Sequence, residues 1–273
     1  MSEAMRVAVV IPVFNEERSL PLVLHDLPAA LLERIVVVDN GSTDGSMSSA
    51  RTQGAAMLDG KLEIVREPRR GYGRACLAGL EHLRRTGPPH VVVFLDGDYS
   101  DHPDELPLLL APIESDEADL VIGSRRLGHA EPGALLPQAR FGNALATGLI
   151  RVLTGFRYTD LGPFRAIRWE ALEGLRMGDP DYGWTCEMQM KAIGRLRIVE
   201  VPVSYRRRIG VSKITGTVSG TLRAGIKILT WVLRHARQAQ LRGANRQPGG
   251  GKARNVPDEV PSRAGSSSDG YPM

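Results

Sequence analysis

Val91-Val92-Val93-Phe94-Leu95-Asp96-Gly97-Asp98 sets five apolar residues directly against two acids that flank a glycine. A run that is apolar at every position, rather than at every second one, describes a strand covered on both faces, the condition of parallel sheets beneath helices. The acids then fall just beyond its carboxyl end, where open α/β sheets hold their ligands. Gly97 allows the chain to turn between them. Two carboxylates so close repel and resist burial unless a cation neutralises them, and a hard divalent ion that also binds phosphate oxygens meets that need. Taken alone, the same three residues describe a solvent-facing turn; the surrounding chain argues against it.

Outward from this strand the pattern repeats. Residues 7–10, 35–38, 62–65 and 120–122 are also short, β-branched and almost wholly apolar. Between them, residues 17–32, 44–56, 73–85 and 105–114 carry apolar side chains at helical spacings of three and four. The alternation predicts an α/β fold with a mainly parallel sheet, right-handed crossovers and helices on both faces. Polar residues should then gather just after the strands, and they do. Pro12-Val13-Phe14-Asn15-Glu16 follows the first, Asp39-Asn40-Gly41-Ser42 the second, Asp96-Gly97-Asp98 the fourth and Gly123-Ser124-Arg125 the fifth. All four clusters are expected on one rim. From about Pro137 the spacing changes to a helix over 137–153, a strand over 164–167, a helix over 187–193 and a strand over 198–203. Residues 1–237 read as one domain, and the Gly-, Pro-, Ser- and Arg-rich residues 238–273 as a disordered tail.

Composition narrows the classes. With 42% hydrophobic and 24% charged residues in 273, the chain is ordinary globular material. A net charge of +4 is too mild to call for nucleic acid, but its placement is uneven: residues 204–237 hold eight Lys and Arg and no acid, a place for anionic partners. Cys76 and Cys186 are too few for a disulfide framework and read as small core residues. No apolar leader precedes Val7, so export is not expected and a cytoplasmic location is. The longest apolar candidate, 226–233, is short of a membrane span and contains Lys227. The basic, part-amphipathic stretch 221–237 either lies on the anionic inner face of the plasma membrane or closes the core as an ordinary helix.

A dinucleotide-dependent oxidoreductase needs glycines in its first strand-to-helix turn, where residues 12–17 have none. Gly71-Tyr72-Gly73 comes later, after the third strand, with Cys76 where a third glycine would stand. It reads either as a helix-entry turn or as backbone set against a nucleotide. A nucleotidyltransferase would also use paired strand-end acids, but it too usually begins with a glycine-rich loop, missing here.

In this order and spacing the motifs resemble the family 2 glycosyltransferases of GT-A fold, and within them the polyprenyl-phosphate sugar synthases related to dolichyl-phosphate mannosyltransferase. The likeness runs from Val7 to Lys213. It rests on Ile11-Pro12-Val13-Phe14-Asn15-Glu16, Val38-Asp39-Asn40-Gly41-Ser42-Thr43-Asp44, Asp96-Gly97-Asp98, Gly123-Ser124-Arg125 and Arg207-Arg208-Ile209-Gly210-Val211-Ser212-Lys213. The resemblance implies a donor half over 6–136 and an acceptor half over 137–237. It implies a UDP- or GDP-linked sugar donor and inverting transfer to polyprenyl phosphate at the membrane surface. A soluble small-molecule acceptor is the alternative.

Residue by residue, the resemblance assigns Pro12, Val13, Asn15 and Glu16 to the nucleoside pocket, with Asp39 and Ser42 at the base or ribose. Asp39 has a second reading, as a cap for the helix near Asp44. Asp96, Gly97 and Asp98 would bring Mg²⁺ or Mn²⁺ to the donor diphosphate, with Ser100 where relatives often carry a metal-binding Gln. Arg207 and Lys213 would fold over the donor diphosphate and the acceptor phosphate, while Arg206 and Arg208 read as solvated. Arg125 is a third phosphate contact or else a structural ion-pair partner. Glu187, and after it Asp160, is the candidate general base if the acceptor is a hydroxyl, although Glu187 also fits a helical pair with a nearby Lys or Arg. An acceptor phosphate, with its second pKa near roughly 6, needs no base.

Overall fold

The computed structural model describes residues 4–58, 60–210 and 254–255. Lys213, the 221–237 stretch and all but two residues of the expected tail lie outside the described residues. Strands β1 (Val7–Val13), β2 (Arg34–Asp39), β3 (Leu62–Arg66), β4 (Val91–Phe94) and β5 (Leu120–Ser124) stand where the apolar runs predict. They alternate with helices α1 (Leu20–Asp26), α2 (Ser46–Met57), α3 (Tyr72–Thr86) and α4 (Leu106–Glu114). Then come α5 (Pro137–Thr154), β6 (Arg165–Arg168), α6 (Trp169–Leu175), α7 (Trp184–Ala192) and β7 (Ile198–Pro202). Arg254–Asn255, inside the expected tail, form a two-residue strand β8 beside β7.

The sheet order is β3-β2-β1-β4-β6-β5-β7-β8. β1 pairs in parallel with β2 and β4, β2 with β3, and β5 with β7, while β6 runs antiparallel between β4 and β5. Two antiparallel pairings in succession restore direction, so β1, β2, β4, β5 and β7 all end on the same rim. Alternate residues of each strand enter two separate cores. Val10, Val38, Val92 and Phe94 pack with α3, α6 and α7 on one face, and Val9, Ile11, Val37 and Val93 with α1 and α4 on the other. This two-sided burial is why the strands are apolar at every position.

The expected helix over 17–32 is shorter than its apolar spacing suggests. Asn15 adopts a positive φ of 55° and α1 starts only at Leu20. It ends before Leu27, which Pro28 forces into extended backbone with ψ 132°. Cys76 and Cys186 form no disulfide and are buried, as expected of core residues. Among the described residues no helix is long and apolar enough to cross a membrane.

Candidate active site

The rim is knitted by side chains that bond to the backbone of the neighbouring turn. The Asn15 amide donates to Ser42 Oγ at 3.1 Å, and Asn15 Oδ1 accepts from the Thr43 amide at 2.8 Å. Asp39 Oδ1 accepts from the Ser42 amide at 2.8 Å. The β1 and β2 exits thereby become one surface, with Asp39 shaping its own turn. Asp39 does not cap α2: the residue before that helix is Gly45, and Asp44 Oδ1 takes the Ser46 amide at 3.0 Å. Asn40, not singled out from sequence, is the central tie. Its Nδ2 donates to the carbonyls of Glu67 (3.0 Å) and Arg69 (2.9 Å), and its Oδ1 accepts from the Gly71 amide at 2.9 Å. An amide that donates and accepts is the side chain such a junction requires.

These ties bring Pro12, Val13, Phe14 and Glu16 together with Asp96, Gly97 and Asp98 around a cavity of about 240 Å³, closed by Arg70, Tyr72, Tyr182 and Arg208. The Arg70 guanidinium lies 3.6 Å from the centre of the Phe14 ring, a cation–π contact at the cavity edge. The Tyr72 hydroxyl donates to Asp96 Oδ1 at 3.0 Å. Asp98 Oδ1 accepts from the Ser100 amide at 2.9 Å and from its hydroxyl, leaving Oδ2 to face Arg208 Nη2 at 3.2 Å. Burial, and then the charge of Asp98, push the Asp96 carboxyl up to about 7. A Cβ at Gly97 would stand 3.1 Å from Val13 Cγ2, a tight contact.

Gly71-Tyr72-Gly73 has a protein partner. A Cβ on Gly73 would fall 2.0 Å from the Asp179 carbonyl oxygen, and one on Gly71 2.3 Å from that of Pro180. The loop between α6 and α7 therefore lies directly on the start of α3, and Tyr72 is aimed at Asp96 from beneath it. Of the two readings of this motif, the helix-entry turn is the one realised at Gly73, although Gly71 also lines the cavity.

The chain after β7 runs alongside the acids. The Arg206 amide donates to the Ser100 carbonyl at 2.9 Å, the Ile209 amide to that of Asp98 at 3.1 Å, and the Tyr205 amide to that of His129 at 2.8 Å. In such a segment successive side chains diverge. Arg208 enters the cavity, reaching Asp98 and, at 3.5 Å, Glu16 Oε1. Arg206 lies 3.6 Å over the Tyr99 ring. Arg207 is exposed and turns the other way, its amide donating to Glu131 Oε2 and its Nε to the Pro132 carbonyl. Arg208 is thus the arginine of this run that stands beside Asp98, and neither Arg206 nor Arg208 is simply solvated.

A second cavity, about 620 Å³, lies between α5 and the loop after β5, lined by Arg125, Arg126, Glu131, Arg140, Phe141 and Asp160 among others. Arg125 is the ion-pair partner that one of its two readings describes, with Nε and Nη2 both 2.7 Å from the Asp160 carboxylate. Burial would raise Asp160, but the Arg125 charge and hydrogen bonds outweigh it and hold the carboxyl below the usual range. Glu187 forms the helical pair that its second reading describes, with Lys191. It is buried on α7 and lines neither cavity, and it accepts from the amides of Gly178 (3.0 Å) and Asp179 (2.7 Å) and from Lys191 Nζ (2.7 Å). A carboxylate engaged by three donors and lining neither cavity is placed to clamp the α6–α7 loop.

Asp101 and Glu200 are buried acids that were not singled out from sequence. Asp101 has no hydrogen-bond partner for either carboxylate oxygen among the described residues, and burial, then the charges of Asp96 and Asp98, lift it well above the carboxylate range. Glu200 on β7 accepts from the amides of Thr159 (2.9 Å) and Asp160 (3.2 Å), fixing the turn that presents Asp160, and burial pushes it up to about 7. A carboxyl raised on folding favours the native state most when protonated. Its contribution is lost as pH rises from the unfolded value of 4.5 through about 7. Unfolding free energy of the wild type relative to Glu200→Gln should fall by about 3 kcal/mol across that window, read by denaturant titration at each pH. A difference that is flat with pH would overturn this assignment.

The sequence signature of glycosyl transferase family 2 matches residues 8–175. An undecaprenyl-phosphate mannosyltransferase of Micrococcus luteus is 35% identical over 242 residues, 84% of this chain and 95% of that protein. A polyprenol monophosphomannose synthase of Mycolicibacterium smegmatis is 34% identical over 84% of this chain and 88% of its own length. Among solved structures, glucosyl-3-phosphoglycerate synthase of Mycobacterium tuberculosis, in complex with Mn²⁺, UDP and glucosyl-3-phosphoglycerate, superposes with a TM-score of 0.64 at 20% identity. It covers 85% of this chain and 80% of the other. That likeness establishes the fold, the GT-A architecture expected from the strand-end motifs. With the signature spanning most of the α/β sheet and relatives matched along nearly their whole length, the chain belongs to glycosyl transferase family 2.

Proposed function

We propose that this enzyme moves a sugar, with inversion, from a UDP- or GDP-linked donor to the phosphate of a polyprenyl lipid at a membrane surface. The observation that carries the reading is the pairing of Asp96 and Asp98 at the end of β4. Each anchors one oxygen on a neighbouring hydroxyl or amide, in a cavity that also holds Pro12, Glu16 and Arg208. The residues fit a hard divalent ion. Asp96, Asp98 and Glu16 gather round Arg208, and burial makes uncompensated carboxylate charge there costly without a further cation. Among the described residues no three or more acids, histidines or cysteines form a complete metal cage, so the donor's own phosphate oxygens would supply the remaining ligands. When bound, Mg²⁺ or Mn²⁺ neutralises charge on the leaving diphosphate.

In the transfer, an acceptor phosphate oxygen bonds to the anomeric carbon as the bond from that carbon to the donor diphosphate breaks on the opposite face. The electron pair leaves with the diphosphate. No proton has to be removed, which agrees with Glu187 being a clamp and Asp160 being held by Arg125. The second cavity, with Arg125, Arg126 and Arg140 on its wall, has the charge for an acceptor phosphate. The pair of relatives named for lipid-linked mannose supports a polyprenyl acceptor.

The surface beside that cavity suits a bilayer. Along α5, Phe141 (70% exposed), Leu145 (48%) and Val152 (79%) fall on one stripe, with exposed Arg140 and Arg151 to one side of it. The helix contains no acid. Apolar side chains among arginines match an anionic headgroup layer. The test supplies radiolabelled UDP- and GDP-sugars to the protein with polyprenyl phosphate in anionic vesicles. Label is expected in an organic-extractable product, and the double variant Phe141→Glu, Val152→Glu should lower that rate about fivefold or more with nucleotide affinity unchanged. Label confined to a water-soluble acceptor would overturn the lipid assignment.

A further inference from the structure

We propose that Arg208 is a displaceable counter-ion: it competes with the divalent cation for Asp98, and once displaced it turns to the donor's phosphate. The inference rests on the metal-bearing donor site described above and adds the residue that couples metal to nucleotide.

Arg125 and Arg208 meet carboxylates in contrasting ways. Arg125 grips Asp160 with two nitrogens, both at 2.7 Å, the parallel fork of a permanent pair. Arg208 uses the single nitrogen Nη2, 3.2 Å from Asp98 Oδ2 and 3.5 Å from Glu16 Oε1, and its buried Nε has no hydrogen-bond partner among the described residues. A guanidinium spread between two acids, with one donor unsatisfied, is held by charge and not by geometry. It is therefore the cheaper of the two to move.

The contested atom is Asp98 Oδ2. Oδ1 is committed to the Ser100 amide and hydroxyl, so a cation approaching Asp98 from the cavity meets Oδ2, where Arg208 already lies. A divalent ion and a guanidinium on one carboxylate oxygen repel, and the binding of each lowers affinity for the other. The nucleotide reverses this antagonism, since a diphosphate bound in the cavity that Arg208 lines would offer its guanidinium a new anion. The backbone need not unfold for the exchange, because the Arg206 and Ile209 amides anchor the segment on Ser100 and Asp98 while the long side chain swings.

The decisive measurement is Mn²⁺ affinity, read from the electron paramagnetic resonance signal of the free hexaaqua ion, with and without UDP or GDP. Arg208→Ala should bind Mn²⁺ alone about fivefold or more tightly than wild type, and the nucleotide should strengthen Mn²⁺ binding less in the variant than in wild type. Arg208→Gln should behave as Arg208→Ala does, and Arg208→Lys should fall between. Equal or weaker Mn²⁺ binding by both neutral variants overturns the counter-ion role while leaving the metal site intact. If wild type and variants alike bind no Mn²⁺ even with nucleotide, the metal-site reading fails and this inference with it.

Discussion

Asp98→Asn is expected to lower sugar transfer by a factor of about a thousand while the protein melts close to wild type. Asparagine keeps an oxygen where Asp98 Oδ1 accepts from the Ser100 amide and hydroxyl, so the turn after β4 survives the change. The loss is confined to the charge at Oδ2, the atom that faces Arg208 and the cavity. In a site closed on one side by Tyr72 and Tyr182, that charge is poorly screened, and removing a group that stabilises developing charge costs roughly 10²–10³ in rate. Loss of a cation ligand as well places the expectation at the upper end. Initial rates at saturating donor and Mn²⁺, set beside a thermal melt of the same preparation, check it. Full turnover in Asp98→Asn would sink the proposed donor chemistry, since Asp96, the other acid of the pair, is held by Tyr72.

Strand positions are legible in this chain because a parallel sheet buries both faces of each strand, and Val7, Val9 and Ile11 must then be as apolar as Ala8 and Val10. The same reasoning placed the polar clusters on one rim. The antiparallel insertion of β6 between β4 and β5 was not legible, since strand order is decided by packing that leaves no local trace. Nor was the phase of the arginines. Three in a row announce that some will diverge, but which one enters the cavity is set by the Tyr205 bridges to Asp101 and Ala130. One miss had a signal, and one second reading was realised. Asn40 stood in a quoted cluster, and only an amide side chain there can hold two carbonyls and an N–H together. Glu187 and Lys191 stand four apart on a helix, the spacing of a pair, and burial of the carboxylate turned that pair into a clamp.

Glu187→Gln is expected to cost about 3 kcal/mol of stability, the scale of breaking a buried pair. A glutamine keeps one acceptor, but its amide nitrogen must then face the Gly178 or Asp179 amide, or Lys191 Nζ, and a donor set against a donor cannot satisfy either. The loosened loop is the one whose Pro180 carbonyl accepts from the Arg74 amide at 3.0 Å and whose Asp179 carboxylate takes the amides of Asp181 (2.8 Å) and Gly183 (3.2 Å). It covers the start of α3, from which Tyr72 bonds Asp96, and it carries Tyr182 to the cavity. The donor KM should therefore rise severalfold, while kcat at saturating donor keeps most of its value and its dependence on pH is unchanged. Denaturant titration, KM and the pH profile of kcat together separate this from catalysis. A base would show the reverse: near-normal stability, turnover abolished, and the acidic limb of the pH profile gone. That outcome would also move the acceptor from a phosphate to a hydroxyl, because only a hydroxyl has a proton for Glu187 to take.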